Sequence, residues 1–103
     1  MLAGMPASHA SVATEKPAPY MKQLCKHFGH KVDVQFDDEQ GTIQLPMGRC
    51  ELDATQPGVL EMQVSAADAE SLERTQHVIG SHLERFGTRD ELSVSWTSAG
   101  AGA

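Results

Sequence analysis

Aromatic side chains are scarce in this chain: Tyr20, Phe28, Phe36, Phe86 and Trp96 make up 5% of 103 residues. The core must therefore rest on Leu, Val, Ile and Met, and the aromatic interleaving on which proteins stack nucleic-acid bases is missing. Basic residues are thin as well. Lys22, Lys26, Lys31, Arg49, Arg74, Arg85 and Arg89 are not gathered in a run, and the formal net charge is −6 with the five histidines neutral. An acidic chain repels phosphate backbones, which argues against general nucleic-acid binding. No apolar run approaches the roughly 20 residues that span a bilayer, so no membrane partner is expected. The stretch Met1 to Pro6 has no basic residue and no long apolar core, and it does not read as an export signal. Cysteine is limited to Cys25 and Cys50. In a chain without an export signal these are expected to be free thiols in the cytoplasm. A phosphate-binding glycine loop and a nucleophile elbow are absent. Asp37-Asp38-Glu39 lacks the alternating oxygen ligands of a calcium loop and reads as a solvated turn.

What is present fits one domain of ordinary globular composition, 40% hydrophobic and 21% charged. A chain of this length buries roughly two thirds of its unfolded surface, enough for one modest core. The domain is expected over residues 8–97, with 1–7 and 98–103 small and polar enough to fray. His9 to Ala13 reads as a short strand. Tyr20, Leu24 and Phe28 recur at helical spacing, so a helix is predicted from about Ala18 to Phe28, stopped by Gly29 as its C′ residue. Four alternating segments follow: Val32/Val34/Phe36, Ile43/Leu45/Met47, Cys50/Leu52 and Leu60/Met62/Val64, joined by short turns. Ser65 is expected to cap a second helix, with Asp68 at N3 and Leu72, Thr75, Ile79, Leu83 and Phe86 on one face. Leu92, Val94 and Trp96 alternate as a last strand. The order β-α-β-β-β-β-α-β predicts an α+β two-layer sandwich, with a curved antiparallel sheet carrying both helices on one face. This is the element order of TATA-binding-protein-like or helix-grip folds, and it carries no function by itself.

The segment richest in chemistry is Gln23-Leu24-Cys25-Lys26-His27-Phe28-Gly29-His30-Lys31. A thiol and two imidazoles are soft or borderline metal ligands and also nucleophile and base types. Helical geometry puts Cys25 and His27 on opposite flanks of the apolar stripe, roughly 160° apart, so a regular helix cannot bring both to one metal. His30 is released from the helix by Gly29. His82 lies on the flank of the second helix, where it could approach His27 or Cys25. A Cys25/His27/His30/His82 set, with Cys50 nearby, would make a zinc- or iron-like site. The bland reading of the same residues is a small buried thiol plus histidines at a helix C-terminus, where positive charge is favoured. His77 falls on the solvent side. The five methionines suggest an adaptable apolar cleft between the second helix and the sheet for a small apolar ligand, or else simple core filling.

Several blocks together resemble a known family. Tyr20-x₂-Gln23-Leu24-Cys25-Lys26-His27-Phe28-x-His30-Lys31, Gly41-x-Ile43, Gly48-x-Cys50-x-Leu52, His82-Leu83-Glu84-Arg85-Phe86 and Leu92-x-Val94-x-Trp96 are similar to the bacterial domain of unknown function 2218, over about residues 9–97. The resemblance implies an accessory role in iron handling beside siderophore-interacting flavin reductases, and it assigns no catalytic residue. The expected function is a small binding or accessory module with such a flavoprotein as partner. The competing expectation is a metal- or thiol-dependent enzyme built on Cys25, His27, His30 and His82.

Overall fold

The computed structural model describes residues 6–98. The elements are β1 (Ala7–Ala13), α1 (Pro17–Phe28), β2 (Asp33–Phe36), β3 (Gln40–Gln44), β4 (Arg49–Asp53), β5 (Val59–Ser65), α2 (Ala69–Phe86) and β6 (Thr97–Ser98), in the predicted order. The strands form one six-stranded antiparallel sheet in the spatial order β2-β3-β4-β5-β1-β6. β2 to β5 are the expected meander, β1 lies along β5, and β6 closes the far edge. Ala7 and Ser98 belong to strands, so the sheet extends one residue into each predicted tail. The expectation of fraying for residues 1–5 and 99–103 falls outside the described residues.

Strand alternation translates directly into two faces. Val34, Ile43, Cys50, Val64 and Ser8 form one cross-strand row, and Phe36, Gly41, Leu52, Met62 and Ala10 form the next. These rows face the helices. Ile43, Cys50, Leu52, Met62 and Val64 are buried there with Tyr20, Met21, Leu24, Cys25 and Phe28 of α1 and with Ile79 and Leu83 of α2, in one core. Asp33, Gln35 and Glu61 fall in the opposite parity, as the alternation requires. Met21, Met62 and Leu83, the residues between α2 and the sheet, are fully buried members of this core.

Three local details differ from the sequence expectation. Ser65 does not cap α2, because it ends β5 and is held in register with Ala7 and Arg49. Asp68 takes the role, accepting the Ser71 amide at 2.8 Å. Gly29 ends α1 in a right-handed conformation, φ −62° and ψ −14°, instead of the left-handed one usual for a C′ glycine. The turn is closed by the amides of Lys31 and Val32, both donating to the Phe28 carbonyl. Leu92 to Trp96 alternate, yet they lie over α2 instead of joining the sheet: the Val94 amide donates to Glu84 Oε2 at 2.9 Å, and Val94 and Trp96 crowd Gly80, where a Cβ would stand 3.2 Å from Trp96 Nε1. Pairing with β1 begins only at Thr97 and Ser98. An alternating apolar segment needs a half-buried surface to lie on, and here a helix supplies it.

Candidate functional site

Because both helices sit on one face, no helix covers the other face of the sheet among the described residues. Its outward rows are Thr42, Glu51, Gln63 and His9, then Gln40, Asp53, Glu61 and Ser11. His9, Gln40, Thr42, Glu51, Asp53, Glu61 and Gln63 surround a concavity of about 480 Å³ on this face. Glu61 is its best-organised group. Its Oε1 accepts from Ser11 Oγ at 2.6 Å and from His9 Nε2 at 2.6 Å. The Ser11 hydroxyl and then the His9 ring hold the Glu61 carboxyl below its ordinary range, against an opposing effect of partial burial. Asp53 is held low in the same sense, first by the Thr55 hydroxyl and then by the Thr55 amide. On the same face Arg49 pairs with Glu51 at 3.2 Å. His9 attracts no attention in the sequence, since its role depends on the β1–β5 register that sets it beside Glu61.

Ser11, His9 and Glu61 are the residue types of a hydrolytic triad in an arrangement that does not serve one. Both Ser11 and His9 donate to the same carboxylate oxygen. The Ser11 hydroxyl is thus directed at Glu61 and not at the His9 ring nitrogen, which stands 3.5 Å away. The group is suited to recognition by charge and hydrogen bonding.

The four residues singled out in the sequence separate into two places. Cys25 is fully buried on the sheet side of α1, where Gly41 makes room for it: a Cβ on Gly41 would stand 2.9 Å from Cys25 Sγ. With His30, Lys26, Gly29, Val34 and Phe36 it lines a groove of about 380 Å³ between α1 and the β2 edge. Cys50 is also fully buried and free. Burial pushes the Cys25 thiol up to about 11 and raises that of Cys50 further, with added repulsion from Cys25 and Glu51. Both stay protonated near neutrality, which opposes their use as nucleophiles. His27 instead turns to α2 and meets His82, with ring centroids 4.9 Å apart, among Phe28 and Phe86. Among the described residues no group of three or more His, Cys, Asp or Glu side chains is placed to hold one metal ion. Asp37, in the acidic turn, spends its carboxylate on the amides of Glu39 and Gln40, both at 2.8 Å.

A family profile for uncharacterized proteins conserved in bacteria, DUF2218, matches residues 9–97. The chain is also similar to a solved structure, the NMR structure of PA4090 from Pseudomonas aeruginosa. That likeness has 36% identity and a TM-score of 0.75, and it covers 90% of this chain and 96% of that one. No curated protein matches. The profile runs from β1 through the segment that lies over α2, and on that extent the chain belongs to the bacterial family DUF2218.

Proposed function

We propose that this domain is a binding or accessory module of the bacterial cytoplasm, and that it engages its partner through the open face of the sheet. One observation carries the reading: the helices leave that face bare, and its concavity is walled by ordered polar groups around Glu61. Glu51, Asp53 and Glu61 give the face a negative character that Arg49 only partly offsets. The formal net charge of −6 acts in the same direction. Such a surface suits a partner offering cationic and hydrogen-bonding groups. In the iron-handling setting implied by the family resemblance, that partner is a basic patch on a siderophore-interacting flavoprotein. Two unpaired buried thiols accord with a reducing compartment. A small apolar ligand is the second reading, favoured by one observation: Phe36, at 39% exposure, stands beside the groove floored by Cys25. The metal- or thiol-dependent enzyme has less support, because Cys25 and Cys50 are held as thiols.

The test is an NMR titration of isotope-labelled protein with a purified siderophore-interacting flavoprotein, and separately with a ferric siderophore. Shifts should concentrate on His9, Thr42, Glu51, Glu61 and Gln63 and weaken as salt is raised. The double change Glu51→Lys and Glu61→Lys should abolish them. Shifts confined to Val34, Phe36 and His30 would transfer the function to the groove. No shift with either probe would reject the accessory role in iron handling.

A further inference from the structure

We propose that His27 and His82 form a two-histidine site for a divalent transition-metal ion such as Zn²⁺ or Ni²⁺, bridging α1 and α2 on the surface of the helical layer. The site lies across the helical layer from the open sheet face and does not depend on how that face is used.

The geometry is close to what such an ion requires. Metal–imidazole bonds are about 2.0–2.1 Å, so two imidazoles on one tetrahedral ion have ring centroids about 5 Å apart. The His27 and His82 centroids are 4.9 Å apart, with the rings tilted by 42°. His82 is also prepared as a ligand. Its Nδ1 donates to the Val78 carbonyl at 2.7 Å, which fixes the tautomer and leaves the Nε2 lone pair free. A ring nitrogen held by a backbone carbonyl behind a ligating imidazole is the usual support of a metal-bound histidine. His27 is exposed, so its ring can turn its own lone pair to the same point and water can complete the coordination shell. The positive charges of Lys31 and Arg85 also lie near His27.

The same surroundings select the metal. Lys31 and Arg85 repel any cation, so hard ions held mainly by charge, such as Mg²⁺ or Ca²⁺, gain little. Ions with directional imidazole bonds are favoured, and Ni²⁺ and Zn²⁺ lie high in the stability order for nitrogen ligands. Two protein ligands give a weaker site than a four-ligand structural zinc, one that exchanges metal with solution. Cys25 is excluded by its burial on the sheet side of α1, and His30 lines the groove with it.

The experiment is thermal unfolding of tag-free protein with Zn²⁺, Ni²⁺ or Mg²⁺ added, for wild type, His27→Ala, His82→Ala and His30→Ala. Each variant is compared with its own metal-free melting point, so a loss of stability in the apo protein does not confuse the result. Wild type and His30→Ala should gain several degrees with Zn²⁺ and Ni²⁺ and none with Mg²⁺, and the two other variants should gain nothing. The gain should vanish as pH falls and protons displace the metal. No gain in wild type, a gain that survives His27→Ala, or equal loss in His30→Ala would each overturn the proposal.

Discussion

Cys25 and Gly41 fit against each other, and the contact leaves no room for growth on either side. Gly41→Ala would drive a methyl group against Cys25 Sγ at 2.9 Å and against Phe36 Cβ at 3.2 Å. Overpacking of this kind costs about 1–3 kcal/mol, which a shift in the denaturant midpoint will measure. Both thiols should react with a thiol reagent at once in denaturant and very slowly in the native state, since burial both blocks access and holds the proton. Fast labelling of Cys25 in the folded protein would contradict its place under the groove. His27 gives a pH dependence of known sign. Its pKa in the folded state lies below the ordinary 6.5, so the unfolded chain binds the proton more readily. Its contribution to stability is therefore complete above pH 6.5 and is lost as pH falls from there through the lowered folded value. Stability measured against pH should fall less steeply across that window in His27→Gln than in wild type.

At the level of elements, α2 depends on a cap that the sequence hides behind a better-looking one. Ser65 with Asp68 three residues later has the spacing of a capping arrangement, but the ladder between β4, β5 and β1 claims Ser65 first. Asp68→Ala should cost about 0.5–2 kcal/mol in unfolding experiments, and Ser65→Ala should leave the helix end unaffected. The last segment teaches a similar lesson. Period-two alternation reports one face buried and one face wet, and it does not say whether the burying surface is a sheet or a helix. Leu92, Val94 and Trp96 satisfy it against Gly87 and Gly80 of the α2 region. The α1 stripe and the four meander strands were legible because their apolar periods are long enough, or repeated often enough, to admit one reading.

For the whole molecule, the two-layer arrangement follows from apolar patterning, since two single-stripe helices and a one-faced sheet have few ways to share a core. The candidate site was far less legible. The thiol and imidazoles near Gly29 draw the eye by composition, whereas the pairing of His9 with Glu61 depends on a register across 52 residues that no local pattern encodes. His27 and His82 lay between these cases. Their flank positions allowed an approach, and only the packing of α1 on α2 fixed it.

The order of strands in space also governs their order in time. β1 precedes the other described elements along the chain, yet its partners are β5, from Val59 to Ser65, and the short β6. It must wait while the β2–β5 meander assembles from neighbouring segments, and the loop it then closes carries an entropic cost that grows with length, about 0.6 kcal/mol per doubling. Rapid folding should therefore start in the meander and finish with the insertion of β1 between β5 and β6. Pulsed hydrogen exchange during refolding should find the amides of Ile43, Cys50 and Leu52 protected earlier than those of Ala10 and Val12. Simultaneous protection would mean that the sheet forms in one concerted step. A waiting strand also leaves the free edge of β5 briefly available to the β1 of another copy, so strand exchange at high concentration is the misassembly this topology invites.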